Sequence, residues 1–247
     1  MISQGSIRSE ALGMLSKAQD GGLSLRLLGG LAVKLSCPSA DTGPLARVCG
    51  DMDFASLAPG PEVEAFFQKA AWTPLAEFNL YNGAERLIFT SPGGCKADIF
   101  LGRFSMCHPI VFRGRLPVDS LRLPLAELLL TKLQVVEANA KDLSDAAAIL
   151  LDHRLGRGDG ELINQDILAQ ILGDDWGFWR TAKGSLEKIL AWLPGSGLGP
   201  GDRESLEKRL AEALALLEAC PKTPRWRIRS IVGEKLRWYE TPEEAEA

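Results

Sequence analysis

At 247 residues, 46% hydrophobic and 24% charged, the chain has the make-up of an ordinary globular protein, with material for one large domain or two modest ones. A formal net charge of −4 excludes a protein that coats nucleic acid by bulk electrostatics, so any nucleic-acid contact must be local. Five widely spaced cysteines, without a CxxC pair and with only two histidines to help them, exclude a disulfide framework and a structural zinc site.

The opening MISQGSIRSEALGMLSKAQDGG lacks the unbroken apolar run of a signal peptide and reads as an amphipathic helix from about Ser6 to Gln19, stopped at Gly21 and Gly22. No later stretch approaches a membrane span, so the expectation is a cytoplasmic protein with reduced thiols and no membrane partner. LSLRLLGG reads as a strand ending on a glycine pair, and LAVKLSC as a short helix behind it. DMDFAS is the next strand, followed by a helical pattern in PEVEAFFQKAAW. ERLIFTS and KADIFLG, joined by PGG, predict a hairpin, and IVFRG predicts a weaker fifth strand.

From Pro124 the composition turns helical. LAELLLTKLQVVEANA, DLSDAAAILLDHRL, NQDILAQIL, WGFWRTAKGSLEKILAWL, ESLEKRLAEALALLEAC and WRIRSIVGEKLRWYE all carry helical patterns. GRGDGE and PGSGLGPGD separate them; the second follows no strand and reads as a flexible connection rather than a phosphate loop. The acidic end TPEEAEA reads as disordered. The fold expected is therefore α/β (α+β): a small mixed-sheet domain over residues 1–120, then a helical domain over 121–247.

Within RVCGDMDFAS, Asp51 and Asp53 project from one side of a strand while Met52 and Phe54 project from the other. Two carboxylates so placed repel, and each favours protonation of its neighbour unless a cation lies between them. They suit Mg2+ (or Mn2+), although most Asp-x-Asp pairs are solvated loop carboxylates. Asp98 sits in an otherwise apolar strand, where a lone carboxylate is costly unless paired or bound to metal. Upstream, Gly29 and Gly30 stand between a strand and a helix, a place where backbone can approach phosphate; a ligand-free tight turn is the plainer alternative.

In order, the Gly29–Gly30 turn, Asp51-x-Asp53 and the later strand residue Asp98 resemble the nucleotidyltransferase superfamily, whose fold is related to that of DNA polymerase beta. Twenty residues, Leu31 to Gly50, separate the glycines from Asp51, where about ten are usual. That longer interval resembles the bacterial AbiEii and MenT toxin-type branch, with its Arg-x-Thr-x-Asp-x-Asp motif, helical lysine and Lys-Asp-x-x-Asp stretch. Here Arg47 is in register, Cys49 stands in place of threonine, Lys132 lies in LAELLLTKLQ, and Lys141, Asp142 and Asp145 lie in AKDLSDAAAILL.

The resemblance implies an Mg2+-dependent nucleotidyltransferase that moves an NMP group from an NTP to an acceptor hydroxyl on an RNA end such as tRNA, a protein or a small molecule, and that is toxin-like with a cognate antitoxin. Asp51, Asp53 and Asp98 would hold metal, and Asp98 would lie near the acceptor. Gly29, Gly30, Arg47 and Lys132 would bind the nucleotide, Arg47 or Lys132 neutralising the triphosphate. A lysine on a helix otherwise snorkels to solvent, and Asp142 and Asp145 otherwise serve the helix dipole. In KTPRWRIRSIVGEKLRWYE, basic and aromatic residues suit an RNA end, yet the favoured reading is a helix whose tryptophans complete the core. His108 and His153, without ligand-spaced partners, read as structural. The alternative to the enzyme is a catalytically silent nucleotide-binding or interaction protein on the same fold.

Overall fold

The computed structural model describes residues 4–241; the PEEAEA end, read as disordered, lies outside them. The fold is mixed α/β. In chain order the first half comprises α1 (Gln4–Asp20), β1 (Leu25–Leu28), α2 (Gly29–Ser36), α3 (Pro38–Asp41), β2 (Asp51–Ser56), α4 (Gly60–Lys69), β3 (Thr73–Pro74), α5 (Ala76–Asn82), β4 (Arg86–Thr90), β5 (Lys96–Leu101), β6 (Arg103–Ser105) and β7 (Pro109–Val111). The second half comprises α6 (Leu125–Leu133), α7 (Ala140–Asp152), β8 (Arg154–Gly156), β9 (Leu162–Asn164), α8 (Gln165–Asp174), α9 (Trp176–Trp192), α10 (Pro200–Ala219) and α11 (Pro224–Val232). Among the described residues no helix is long and apolar enough to cross a membrane.

The main sheet has the order β1-β2-β5-β4-β3, with β2 and β5 parallel and the other neighbours antiparallel. Its core face is built by alternation: Met52, Phe54, Leu87, Phe89, Ala97 and Ile99 are buried. Phe67 of α4 seals that face, stacking on Phe89 at 4.7 Å between ring centroids and meeting Phe54 and Trp72 edge-on. The core continues without a break past residue 120, through Leu123 and the inner faces of α6 and α7, and Leu27 of β1 bridges to Arg122 in parallel.

IVFRG supplies a strand as expected, Ile110 and Val111 lying in β7, which pairs with β6 outside the main sheet because Gly102, at φ +71°, turns the chain off β5. Three sequence expectations are corrected. VVEAN, residues 135–139, is not helical, because Ser185 and Lys188 of α9 donate to the carbonyls of Leu133, Val135 and Val136 that a further turn would have used. The residues after Asp152 leave the helix. His153 is extended, its ring nitrogens 3.1 Å from the carbonyls of Ser36 and Glu161, and β8 runs parallel to β9. PGSGLGPGD is no loose connection: Leu193–Gly195 forms a 3-10 turn, Leu198 is buried, and Pro200 opens α10.

Candidate active site

Strands β2 and β5 run parallel with Asp53 opposite Asp98 and Asp51 opposite Lys96. Residues in register project to one face, so the three carboxylates share the sheet face opposite the phenylalanine core. The antiparallel β4 places Ile88 opposite Asp98, which brings Arg86, two residues away, to that same face.

The glycine pair connects this face to a cationic group. Gly29 adopts φ +68°, and a methyl group there would lie 1.9 Å from Asp53 Oδ2. A methyl group at Gly30 would lie 1.8 Å from Arg47 Nη2. The room that these glycines leave is thus taken by the chain's own carboxylate and guanidinium.

Arg47 grips Asp145 with both prongs of its fork, Nε to Oδ1 and Nη2 to Oδ2, each at 2.7 Å. Lys132 Nζ lies 2.8 Å from Asp145 Oδ2, and its side chain is only 11% exposed, so it is not the solvated helical lysine of the plainer reading. Asp145 is 2% exposed. Burial raises its pKa, but the Arg47 hydrogen bonds and the Lys132 charge outweigh burial and hold it below the usual carboxylate range. Asp142 takes the other role: it closes a capping box with Asn139 at the start of α7. Of the two carboxylates in this stretch, only Asp145 reaches the cluster.

On the anionic side, burial and crowding of like charge favour the protonated carboxyls. Burial first, then the charges of Asp51 and Asp98, push Asp53 up to about 7, with Lys132 and Arg86 opposing. Asp98 is also raised, by burial, against the pull of Arg86 and Lys96. Its Oδ1 accepts from Arg86 Nη2 at 3.0 Å and Nε at 3.2 Å, and Lys96 Nζ stands 3.9 Å from Oδ2. Arg86 itself is held between Phe78 and Phe100, 5.4 and 5.1 Å from the ring centroids. Among the described residues no group of three or more His, Cys, Asp or Glu side chains is arranged to hold a metal ion. The donor chemistry nonetheless fits one: three hard carboxylates on one face, of which Asp53 is pushed toward the neutral form by burial and by its two anionic neighbours.

This makes a pH-dependent signature. The folded pKa of Asp53 lies above its unfolded value of about 3.8, so the stability that protonation contributes is present at low pH and lost as pH rises toward about 7. Without divalent cation, denaturant unfolding should show wild type losing stability relative to Asp53→Asn across that window, ending less stable at pH 8 by on the order of 1 kcal/mol or more. A difference that stays flat with pH would contradict the crowding of charge.

Sequence reasoning missed Arg86, Lys96 and Lys34. The last donates to the Arg47 carbonyl at 3.3 Å and pairs with Asp41. A signal for Arg86 existed in the PGG hairpin, whose register carries a cation heading an apolar strand to the Asp98 face. Cys49, in the place of the motif threonine, is buried, and burial raises its thiol pKa.

The other singled-out residues are structural. His108 stacks on Phe178, its Nε2 lies 2.8 Å from Thr181 Oγ1, and burial lowers its pKa to about 4. Trp226 packs edge-on against Trp179, and Trp238 against Trp176 while donating to Thr181, but the terminal segment departs from the helix expected to complete the core: α11 ends at Val232 with no buried residue, Trp238 lies beyond it, and both tryptophans are only half-buried.

Comparison of the fold with solved structures finds a likeness to the crystal structure of an antigenic nucleotidyltransferase-like protein from Paracoccidioides brasiliensis, 12% identical, with 90% of this chain and 96% of that chain covered and a TM-score of 0.43. At that score it carries no functional weight. No protein-family model and no curated protein matches the chain.

Proposed function

We propose that the chain is a nucleotidyltransferase that moves an NMP group from an NTP to an acceptor hydroxyl. The observation that carries this reading is the meeting, at Gly29 and Gly30, of an anionic face (Asp51, Asp53, Asp98) with a cationic pair (Arg47, Lys132) fixed on buried Asp145. Transfer from a triphosphate needs both halves: oxygen ligands for divalent cations, and fixed positive charge for the leaving pyrophosphate. The same convergence joins the ordered motif blocks of the AbiEii and MenT type, which makes the toxin-like branch the finer reading; a cytoplasmic setting and a cognate antitoxin belong to this proposal through that resemblance alone.

Asp51, Asp53 and Asp98 would hold Mg2+ or Mn2+, which when bound neutralises charge on the entering and leaving oxygens. Asp98 lies on the face where an acceptor hydroxyl would approach and can accept its proton. Arg47 and Lys132, held at 2.7 and 2.8 Å from the same carboxylate, present their remaining N–H groups as preorganised donors for the triphosphate. The acceptor is an RNA end, a protein or a small molecule.

The test is incubation of the full chain with Mg2+ and total cellular RNA or protein, using NTPs labelled in parallel at the α and γ phosphates. Label from the α position alone in the acceptor marks nucleotidyl transfer; label from the γ position, or none from either, overturns it. Lys132→Ala should slow transfer on the order of a hundredfold. Because the lysine is buried and paired, it should also lower stability by about 1–3 kcal/mol, read by urea unfolding. Unchanged turnover would remove Lys132 from the site.

A further inference from the structure

The carboxylates have the chemistry of a cation site, yet one of them is already satisfied. Asp98 accepts two hydrogen bonds from Arg86 in the geometry of a charge-assisted pair, and the guanidinium occupies one of the directions from which a cation would approach its oxygen. Arg86 has a second set of partners that does not depend on Asp98. Its guanidinium is flanked by Phe78 and Phe100 and lines a cavity of about 340 Å³ shared with Arg103 and Met106. Withdrawing the carboxylate would therefore leave the cation with aromatic faces and space to turn into, rather than stranded.

We infer that Arg86 is the exchangeable counter-ion of Asp98: it neutralises the carboxylate in the metal-free chain and cedes it to a divalent cation, remaining between the two aromatic rings. This rests on the proposed metal-dependent reading of the site. Arg86 acts as a positioning residue, setting how readily the three carboxylates take up metal. Lys96 provides an internal comparison, since it carries the same charge on the same face but stands 3.9 Å from Asp98, beyond hydrogen-bonding distance.

The test is Mn2+ binding to the full chain at pH 8, by calorimetry and by the paramagnetic resonance of free Mn2+. If Arg86 competes with the cation, Arg86→Gln should bind Mn2+ at least about tenfold more tightly than wild type, because a unit charge close to the site is removed. Arg86→Lys, which keeps the charge without the fork, should fall between the two. Lys96→Gln should shift affinity less than Arg86→Gln. Equal tightening by the two glutamine variants would mean bulk charge alone and overturns the exchange, as does unchanged or weaker binding by Arg86→Gln. Absence of Mn2+ binding by wild type and variants alike overturns the metal site together with the exchange, which separates the two failures. Should Arg86→Gln not fold, the wild-type chain decides: the Arg86 Nε–H resonance, assigned by its loss in Arg86→Lys, should move on Mg2+ titration, and a resonance that stays fixed while Mg2+ binds refutes the proposal.

Discussion

Asp145→Ala should unfold more easily than wild type by about 3–5 kcal/mol, because it removes the shared partner of two cations that have little water to fall back on. Arg47 and Lys132 are 20% and 11% exposed at their side chains, and both close on the carboxylate at less than 3 Å. The loss should be read from the urea midpoint at constant m-value, which separates a stability change from a change in the unfolded state. Its pH dependence follows from the depressed pKa. The contribution is present above the unfolded value of about 3.8 and fades as pH falls through the lower folded one, so wild type and variant should converge in acid. On the proposed function, nucleotidyl transfer should drop by more than about a hundredfold, since Arg47 and Lys132, the donors proposed for the triphosphate, lose their anchor. Wild-type stability in the variant would mean that the cluster is incidental.

Gly29→Ala is the second large effect, and it reaches the carboxylates rather than the cations. The φ of +68° costs a residue with a Cβ roughly 1–2 kcal/mol. The new methyl would also sit 1.9 Å from Asp53 Oδ2 and 2.8 Å from Asp53 Cγ. Aspartate is too short to yield by moving only its tip, so its backbone or the α2 start must shift. Expected are a combined loss of about 2–4 kcal/mol and transfer near background. Gly30→Ala offers a graded comparison. There the obstructed atoms belong to the far end of Arg47, which can move at smaller cost in stability while losing its fork on Asp145. Near-native melting and turnover in Gly29→Ala would show that the close approach of Asp53 to the turn is dispensable.

The elements that position the carboxylates were legible because period-two alternation in DMDFAS and KADIFLG is strong, and because a hairpin turn fixes β4 against β5. The two-residue β3 and the short α5 were not, since neither is long enough to show a period. Asp145 and Asp142 illustrate a finer limit. Both lie in the first turns of one helix, and only the packing of α7 decides that one caps the helix while the other turns inward to Arg47. Arg86 was readable as a strand residue but not as the partner of Asp98, because an arginine at a strand end is ordinarily solvated and its aromatic neighbours Phe78 and Phe100 come from different elements.

The most direct measurement of the central claim is transfer of label from α-labelled NTP, in Mg2+ and total cellular RNA or protein, by wild type and Asp53→Asn side by side. Asp53→Asn should fold, since it relieves the repulsion among Asp51, Asp53 and Asp98, and should be at least as stable as wild type without divalent cation. The prediction is a labelled acceptor with wild type and background label with the folded variant. Equal labelling by the two, or none by wild type across all four NTPs, would contradict the assignment of this sheet face as a nucleotidyltransferase site.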